Sequence, residues 1–324
     1  MASKQINTIP DESYIDLIQD VAFRPIFILG DHRSGTTLLY KTLVATECFN
    51  FVRAYHIIKY DEILYNYVNK IEDRVGHELD KSMNLLGISD RVFDRVLVSS
   101  NLPEEYGFIL KNAGYESYID SRNLPLFREL CKKIQFVSHP DKALLLKNPW
   151  CLPHFMYVKS AFPEAKFIFI HRHPLHAINS KLKSVRSFLS ARNVYMDLIA
   201  KWYTDIFDNP VKRFIYRMLY SQYFDLGLHE VTQQAIKSTT YFLQNIESLS
   251  NRDYVSIRYE DLCQEPETTI LKILDFLELE PRVTLAYENL IEARTMKLLP
   301  EVEAKSEQIL QKLQPYFAYH GYDI

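Results

Sequence analysis

The chain has 324 residues, enough for one large α/β domain or two smaller ones. At 47% apolar residues and a formal charge of −3, it lacks the basic excess of a general nucleic-acid or membrane-surface binder. Its four cysteines, Cys48, Cys131, Cys151 and Cys263, make no CxxC pair, which argues against a zinc site or a disulfide framework, and no apolar run suits a signal peptide or a membrane span; a reducing, cytoplasmic setting is expected.

In chain order, residues 10–23 read as a lead-in helix, with Pro10 at its start and Asp11 and Glu12 where anions suit the dipole. Residues 25–30 (PIFILG) read as a buried strand, 35–47 as a helix and 50–55 (NFVRAY) as a second strand. Residues 59–75, 90–113 and 123–137 read as mostly helical, with breaks near Gly87, Pro103 and Gly114. Residues 143–148 (ALLLKN) form a strand stopped by Pro149, 153–162 a short helix, and 166–172 (KFIFIHR) a strongly apolar strand. Helices are expected over 174–190, 193–220 and 226–248, a strand over 254–260 (YVSIRYE), and helices over 266–279 and 300–313.

Continuous apolar strands alternating with helices predict a three-layer α/β sandwich, a mostly parallel sheet covered on both faces. No repeat, low-complexity tract or Gly/Ser linker divides the chain, so residues 1–324 are expected to form a single domain. Ligands of such sheets bind at the carboxyl ends of the strands. The loops after residues 30, 55, 147, 171 and 259 should therefore meet at one crevice.

The loop after the first strand runs Gly30, Asp31, His32, Arg33, Ser34, Gly35, Thr36, Thr37. This is the spacing of a phosphate loop, yet Thr36 stands where that motif has its lysine. Backbone N–H groups at a helix start and the helix dipole favour an anion. Thr36 and Thr37 add hydroxyls, and Arg33 brings a planar fork suited to a tetrahedral oxyanion. Without the lysine, the loop lacks the cation that reaches the β- and γ-phosphates of ATP. Downstream, Arg172 closes a strand and Ser180 lies two turns into the next helix, where both could face one phosphate.

HRSGTTLL resembles the 5′-phosphosulfate loop of the sulfotransferases that use 3′-phosphoadenosine 5′-phosphosulfate (PAPS), in the Arg-Ser-Gly-Thr-Thr sub-type that includes tyrosylprotein and bacterial enzymes; His32 replaces the usual proline. The resemblance implies a P-loop-like fold, PAPS as co-substrate, adenosine 3′,5′-bisphosphate as product, and no metal. It implies that Arg33, Ser34, Gly35, Thr36 and Thr37 hold the phosphosulfate, with Arg33 stabilising the sulfuryl oxygens, and that Arg172 and Ser180 hold the 3′-phosphate. His173 replaces the family's aspartate. LLLKNPWCLPHF resembles the family's strand ending in Lys, and implies that Lys147 stands near the leaving group's bridging oxygen; a surface lysine is the other reading. SIRYEDL makes Tyr259 a candidate beside the nucleotide or a core tyrosine, with Glu260 and Asp261 structural. Lys183 and Arg186 read as solvated surface or as added charge on the 3′-phosphate.

Sulfuryl transfer to a hydroxyl or amine needs a general base. In this sub-type it lies just past the strand that follows the loop helix, where the chain reads Ala54, Tyr55, His56. His56 is the expected base, since a neutral imidazole is available near neutral pH; Asp61, Glu62, His139, His154, His171 and His173 are rivals. A kinase or a non-catalytic nucleotide-binding module would explain the loop alone. The acceptor is open among small molecules, carbohydrates and peptides. Residues 61–139 and 187–250 are expected to cover it, and the 22 Tyr and 19 Phe point to an apolar or aromatic one.

Overall fold

The computed structural model describes residues 9–91, 96–287 and 297–322. Five parallel strands form one sheet: β1 Pro25–Leu29, β2 Phe49–Phe51, β3 Ala143–Lys147, β4 Lys166–His171 and β5 Tyr254–Arg258, in the order β2-β3-β1-β4-β5. β1 is central, with Phe27 beside Leu146 of β3 and Phe167 of β4. Every residue of β1 and β3 is buried, as a run without polar alternation requires when helices cover both faces.

The two-residue period of the strands sorts side chains by face. Phe27, Leu29, Leu146, Phe167 and Phe169 enter one core with Phe127 and Phe155. Ile26, Ile28, Leu145, Ile168 and Ile170 enter the other, against Leu39 and Leu43 of the helix Thr36–Ala45 and Ile270 and Ile273 of the helix Pro266–Phe276. The rings of Phe27 and Phe167 stack at 5.8 Å. β5 buries only alternate residues, as an edge strand does.

Several boundaries differ from the sequence reading. The lead-in segment is a 3-10 helix, Pro10–Ile18. β2 ends at Phe51, and a helix begins at Ala54. Past Phe51 the backbone pairs with residues 102–104: Ala54 N–H donates to the Leu102 carbonyl and Glu104 N–H to that of Val52, both at 2.9 Å. Most of the segment expected as a helix over 90–113 is therefore irregular, with isolated bridges at Asp90, Leu97 and Pro103, and only Gly107–Asn112 is helical; residues 92–95 lie outside the described residues. The expected helix over 59–75 breaks between Ile63–Val68 and Glu72–Leu85, with Lys70 at φ 57°. The helix expected over 193–220 is three, Val194–Ile199, Lys201–Asp208 and Pro210–Leu219, broken where Ala200 and Asn209 are extended. Tyr259 opens the helix Tyr259–Gln264 instead of closing β5. Among the described residues, no helix is long and apolar enough to cross a membrane.

Candidate active site

The chain leaves β1 toward β2 on one side of the sheet, and after β3 it crosses to β4 on the other. The carboxyl ends of β3, β1 and β4 thus adjoin, and carry Lys147, the loop from Gly30 and Arg172. Gly30 is held to glycine by space, since a Cβ there would lie 2.5 Å from the Ile170 carbonyl and from Ser34 Oγ. Gly35 has φ 97°, and a Cβ on it would stand 2.3 Å from the Tyr259 ring. The helix Thr36–Ala45 starts directly after it, so the N–H groups of its first turn have no acceptor within the helix.

Arg33 joins the two motifs. Its backbone is left-handed, φ 70°, uncommon for a side chain of this size. Two contacts hold it there: Arg33 Nε donates to Ser180 Oγ at 3.1 Å, and Arg172 Nη1 donates to the Arg33 carbonyl at 2.9 Å. Arg172 also lies over the Tyr259 ring, 4.2 Å from its centroid. The loop, Arg172, Ser180 on the helix Pro174–Ser190 and Tyr259 therefore form one connected group.

A lysine of the neighbouring strand stands beside the helix start, one position from Thr36. Lys147, fully buried at the end of β3, donates to Thr37 Oγ1 at 2.9 Å. Arg33 Nε turns to Ser180, and Lys147 is a second cation beside the helix start. Lys147 is balanced by Glu105, Nζ to Oε1 2.7 Å. Glu105 was not singled out in the sequence. It is delivered by the pairing of residues 102–104 with the end of β2, and anchored by its neighbour Glu104. The buried Glu104 carboxylate accepts from Arg91 Nη1 at 2.7 Å and from the Tyr195 hydroxyl at 2.8 Å. The signal was local, two carboxylates after Pro103 in an apolar stretch, but only long-range pairing gives it meaning.

His32 packs edge-on against Trp150, with ring centroids 4.7 Å apart. Burial first, then the charges of Lys181, Lys147 and Arg33, hold it well below its ordinary pKa, so it is neutral. His56 lies on the helix Ala54–Ile58, fully buried. The Arg53 N–H donates to its Nδ1 at 3.1 Å, and Arg53 Nη2 lies 3.0 Å from Nε2. Both ring nitrogens thus face Arg53, which pairs in turn with Glu72. Burial, then Arg53, pushes its pKa well below the ordinary value. These contacts set His56 in a capping role, and none of them reaches the loop.

The rivals are distributed elsewhere. His154 stacks on Tyr118 at 3.7 Å, and His139 lies in the turn before β3. Asp61 and Glu62 occupy a 3-10 turn, Tyr60–Glu62. His171 is buried, with Nδ1 2.6 Å from the Tyr316 hydroxyl and Nε2 3.1 Å from Ser256 Oγ. Glu260 accepts from the His173 N–H and the Tyr322 hydroxyl, and Asp261 pairs with Arg258. Lys183 donates to the Lys297 carbonyl, and Arg186 pairs with Glu301, so both tie down the C-terminal segment.

Three features suit an anionic nucleotide here. Ser34 Oγ and Arg172 Nε are buried without a hydrogen-bond partner, an arrangement that costs free energy until a ligand satisfies it. Added Cβ atoms at Gly30 and Gly35 would close the loop against Ile170 and Tyr259. The group carries three cations, Arg33, Arg172 and Lys147.

Two solved mycobacterial structures share the fold. Sulfotransferase STF9 from Mycobacterium avium is similar with a TM-score of 0.64 at 14% identity, covering 95% of this chain and 80% of that one. Sulfotransferase STF1 from Mycobacterium tuberculosis H37Rv gives 0.58 at 13%, covering 94% and 80%. In sequence, the omega-hydroxy-beta-dihydromenaquinone-9 sulfotransferases Stf3 of Mycobacterium bovis and Mycobacterium tuberculosis are each 29% identical over 167 residues, 48% of this chain. The match spans 43% of the length of those relatives. The profile of the sulfotransferase family matches residues 25–214, a span that holds the phosphate loop, Glu105, Lys147, Arg172 and Ser180 and exceeds half the chain, and the chain belongs to that family.

Proposed function

We propose that the protein transfers a sulfuryl group from PAPS to a hydroxyl of a small apolar acceptor, within one domain whose segments 61–139 and 187–250 cover the acceptor. The observation that carries this reading is the contact of Arg33 with both Arg172 and Ser180, beside the Lys147–Thr37 pair. One connected group could then hold both anionic ends of a single nucleotide. PAPS, when bound, supplies the sulfuryl group and leaves as adenosine 3′,5′-bisphosphate. Ser34 to Thr37 would hold its phosphosulfate end, Arg172 and Ser180 its 3′-phosphate, and Tyr259 would flank it. Lys147, fixed by Thr37, would offset negative charge at the helix start. The mycobacterial Stf3 relatives carry omega-hydroxy-beta-dihydromenaquinone-9 in their name, which supports an alcohol acceptor here.

For the proton acceptor, the sequence points to His56 and the geometry to Glu105. Both nitrogens of His56 face Arg53, whereas the Glu105 carboxylate stands against Lys147 at the helix start. We assign the base to Glu105: a hydroxyl entering beside Lys147 would hand its proton to Glu105 Oε1. Mass spectrometry of alcohol pools incubated with PAPS should detect an added sulfonate. Glu105→Gln should lower turnover about 10²–10⁴-fold with adenosine 3′,5′-bisphosphate affinity nearly intact, while His56→Ala should alter stability more than turnover. The reverse pattern would return the role to His56. Stabilisation by ATP with Mg²⁺, but not by adenosine 3′,5′-bisphosphate, would overturn the whole reading in favour of a kinase.

A further inference from the structure

The helix Pro210–Leu219 is turned the wrong way round for a soluble surface. Val211, Phe214, Ile215 and Met218 recur at the helical spacing that makes one stripe, which on a globular protein normally faces the core. Here the stripe faces outward: Val211, Phe214 and Ile215 are 65%, 63% and 57% exposed, and no residue of the helix is buried. Arg213 and Leu219 are the half-buried residues, the Arg213 guanidinium lying 5.7 Å from the centre of the Phe207 ring. Asn209 fixes the helix start by accepting from the N–H groups of Val211 and Lys212. The following turn adds Tyr223 and Phe224, 82% and 47% exposed.

We propose that this helix docks the protein on an anionic lipid bilayer, with the stripe in the headgroup boundary. An interfacial helix has this make-up: a strong apolar stripe, aromatic residues beside it, and basic residues on the flanks. Lys212 and Arg217 are exposed on the same helix, which contains no acidic residue. The adjoining Asp225 is paired with Lys305. Asp208 of the preceding helix is paired with Arg192, and the helix itself is positive on a chain of net charge −3, which complements anionic headgroups. A second copy is a poorer occupant, because a twofold contact would set Lys212 and Arg217 against their own counterparts. The helix is also convex, so it offers no pocket to a single small molecule. It packs on the helix Pro174–Ser190 that carries Ser180, and Arg186 on that helix donates to the Tyr220 carbonyl at 2.6 Å. A docked molecule would therefore hold the candidate site close to the lipid surface. The proposal stands on the exposed helix and does not depend on sulfuryl transfer.

Flotation of the full chain with vesicles of phosphatidylcholine, alone or mixed with phosphatidylglycerol, tests it. The protein should float with the mixed vesicles and be released by salt. Phe214→Ser with Ile215→Ser should weaken that association at least about tenfold. Lys212→Gln with Arg217→Gln should weaken it less, and only on anionic vesicles. Both variants should melt at the wild-type temperature, because the changed side chains are exposed. A wild type that floats with neither vesicle, or an apolar double variant that floats as well as the wild type, would overturn the proposal. So would a concentration-dependent dimer that the same variant dissociates, since the stripe would then serve a second copy.

Discussion

Lys147 carries opposing demands. It is fully buried, and its charge is tolerated because Glu105 and Thr37 take its hydrogens. Truncating one member of a buried pair leaves the other uncompensated, at about 3–5 kcal/mol. Lys147→Met should therefore lower stability by roughly that amount and abolish sulfonated product. Lys147→Met combined with Glu105→Gln should regain most of the stability but none of the turnover, read by urea unfolding and by product mass. If the single variant unfolds like the wild type, Lys147 and Glu105 are not coupled as described. Arg33 is legible at this scale only in part. Its presence in the loop suggests an anion ligand, but its direction toward Ser180 depends on a helix 147 residues away in sequence.

At the scale of the element, the loop and the helix Thr36–Ala45 work as a unit whose geometry depends on Gly35. Its φ of 97° and the Tyr259 ring behind it leave no place for a methyl group. Gly35→Ala should cost about 1–2 kcal/mol for the backbone alone, and more for displacing Tyr259 from Arg172. Calorimetry should find adenosine 3′,5′-bisphosphate binding lost along with a lowered melting temperature. Retained affinity would mean that the loop is not held by Tyr259. Strands β1, β3 and β4 were readable because each is a nearly continuous apolar run, whose burial depends on local composition. The β2 boundary and the irregular segment near Pro103 were not. There, the backbone's hydrogen bonds go to a distant partner instead of to a helix, and periodicity carries no record of that choice.

For the whole molecule, buried histidines set the response to acid. His32, His56 and His171 are held well below their ordinary pKa, first by burial and then by neighbouring charges, and His320 is lowered to about 4. In the unfolded chain such groups titrate near 6.5. The unfolded state therefore binds more protons as the pH falls below that value, and stability drops. It should be full above pH of about 6.5 and fall progressively toward about pH 4. Urea midpoints measured from neutral to mildly acidic pH should fall, and His171→Asn should flatten the slope. A flat profile in the wild type would show that these rings are open to protonation in the fold. The net charge of −3 likewise averages over the molecule and hides the positive, apolar helix at 210–219.

The chain's own pattern determined the parallel sheet, the loop with phosphate-loop spacing at the end of β1 and the placing of Arg172 at a strand end with Ser180 on the next helix, because each depends on neighbours within a few residues or two turns of helix. Tertiary structure alone decided that Lys147 stands beside Thr37, that Glu105 reaches it, that Arg33 bridges the two motifs and that one apolar helix faces outward. Those outcomes depend on which strand ends adjoin and which backbone pairs with which. Such contacts join residues far apart in sequence, where local spacing carries no information about distance.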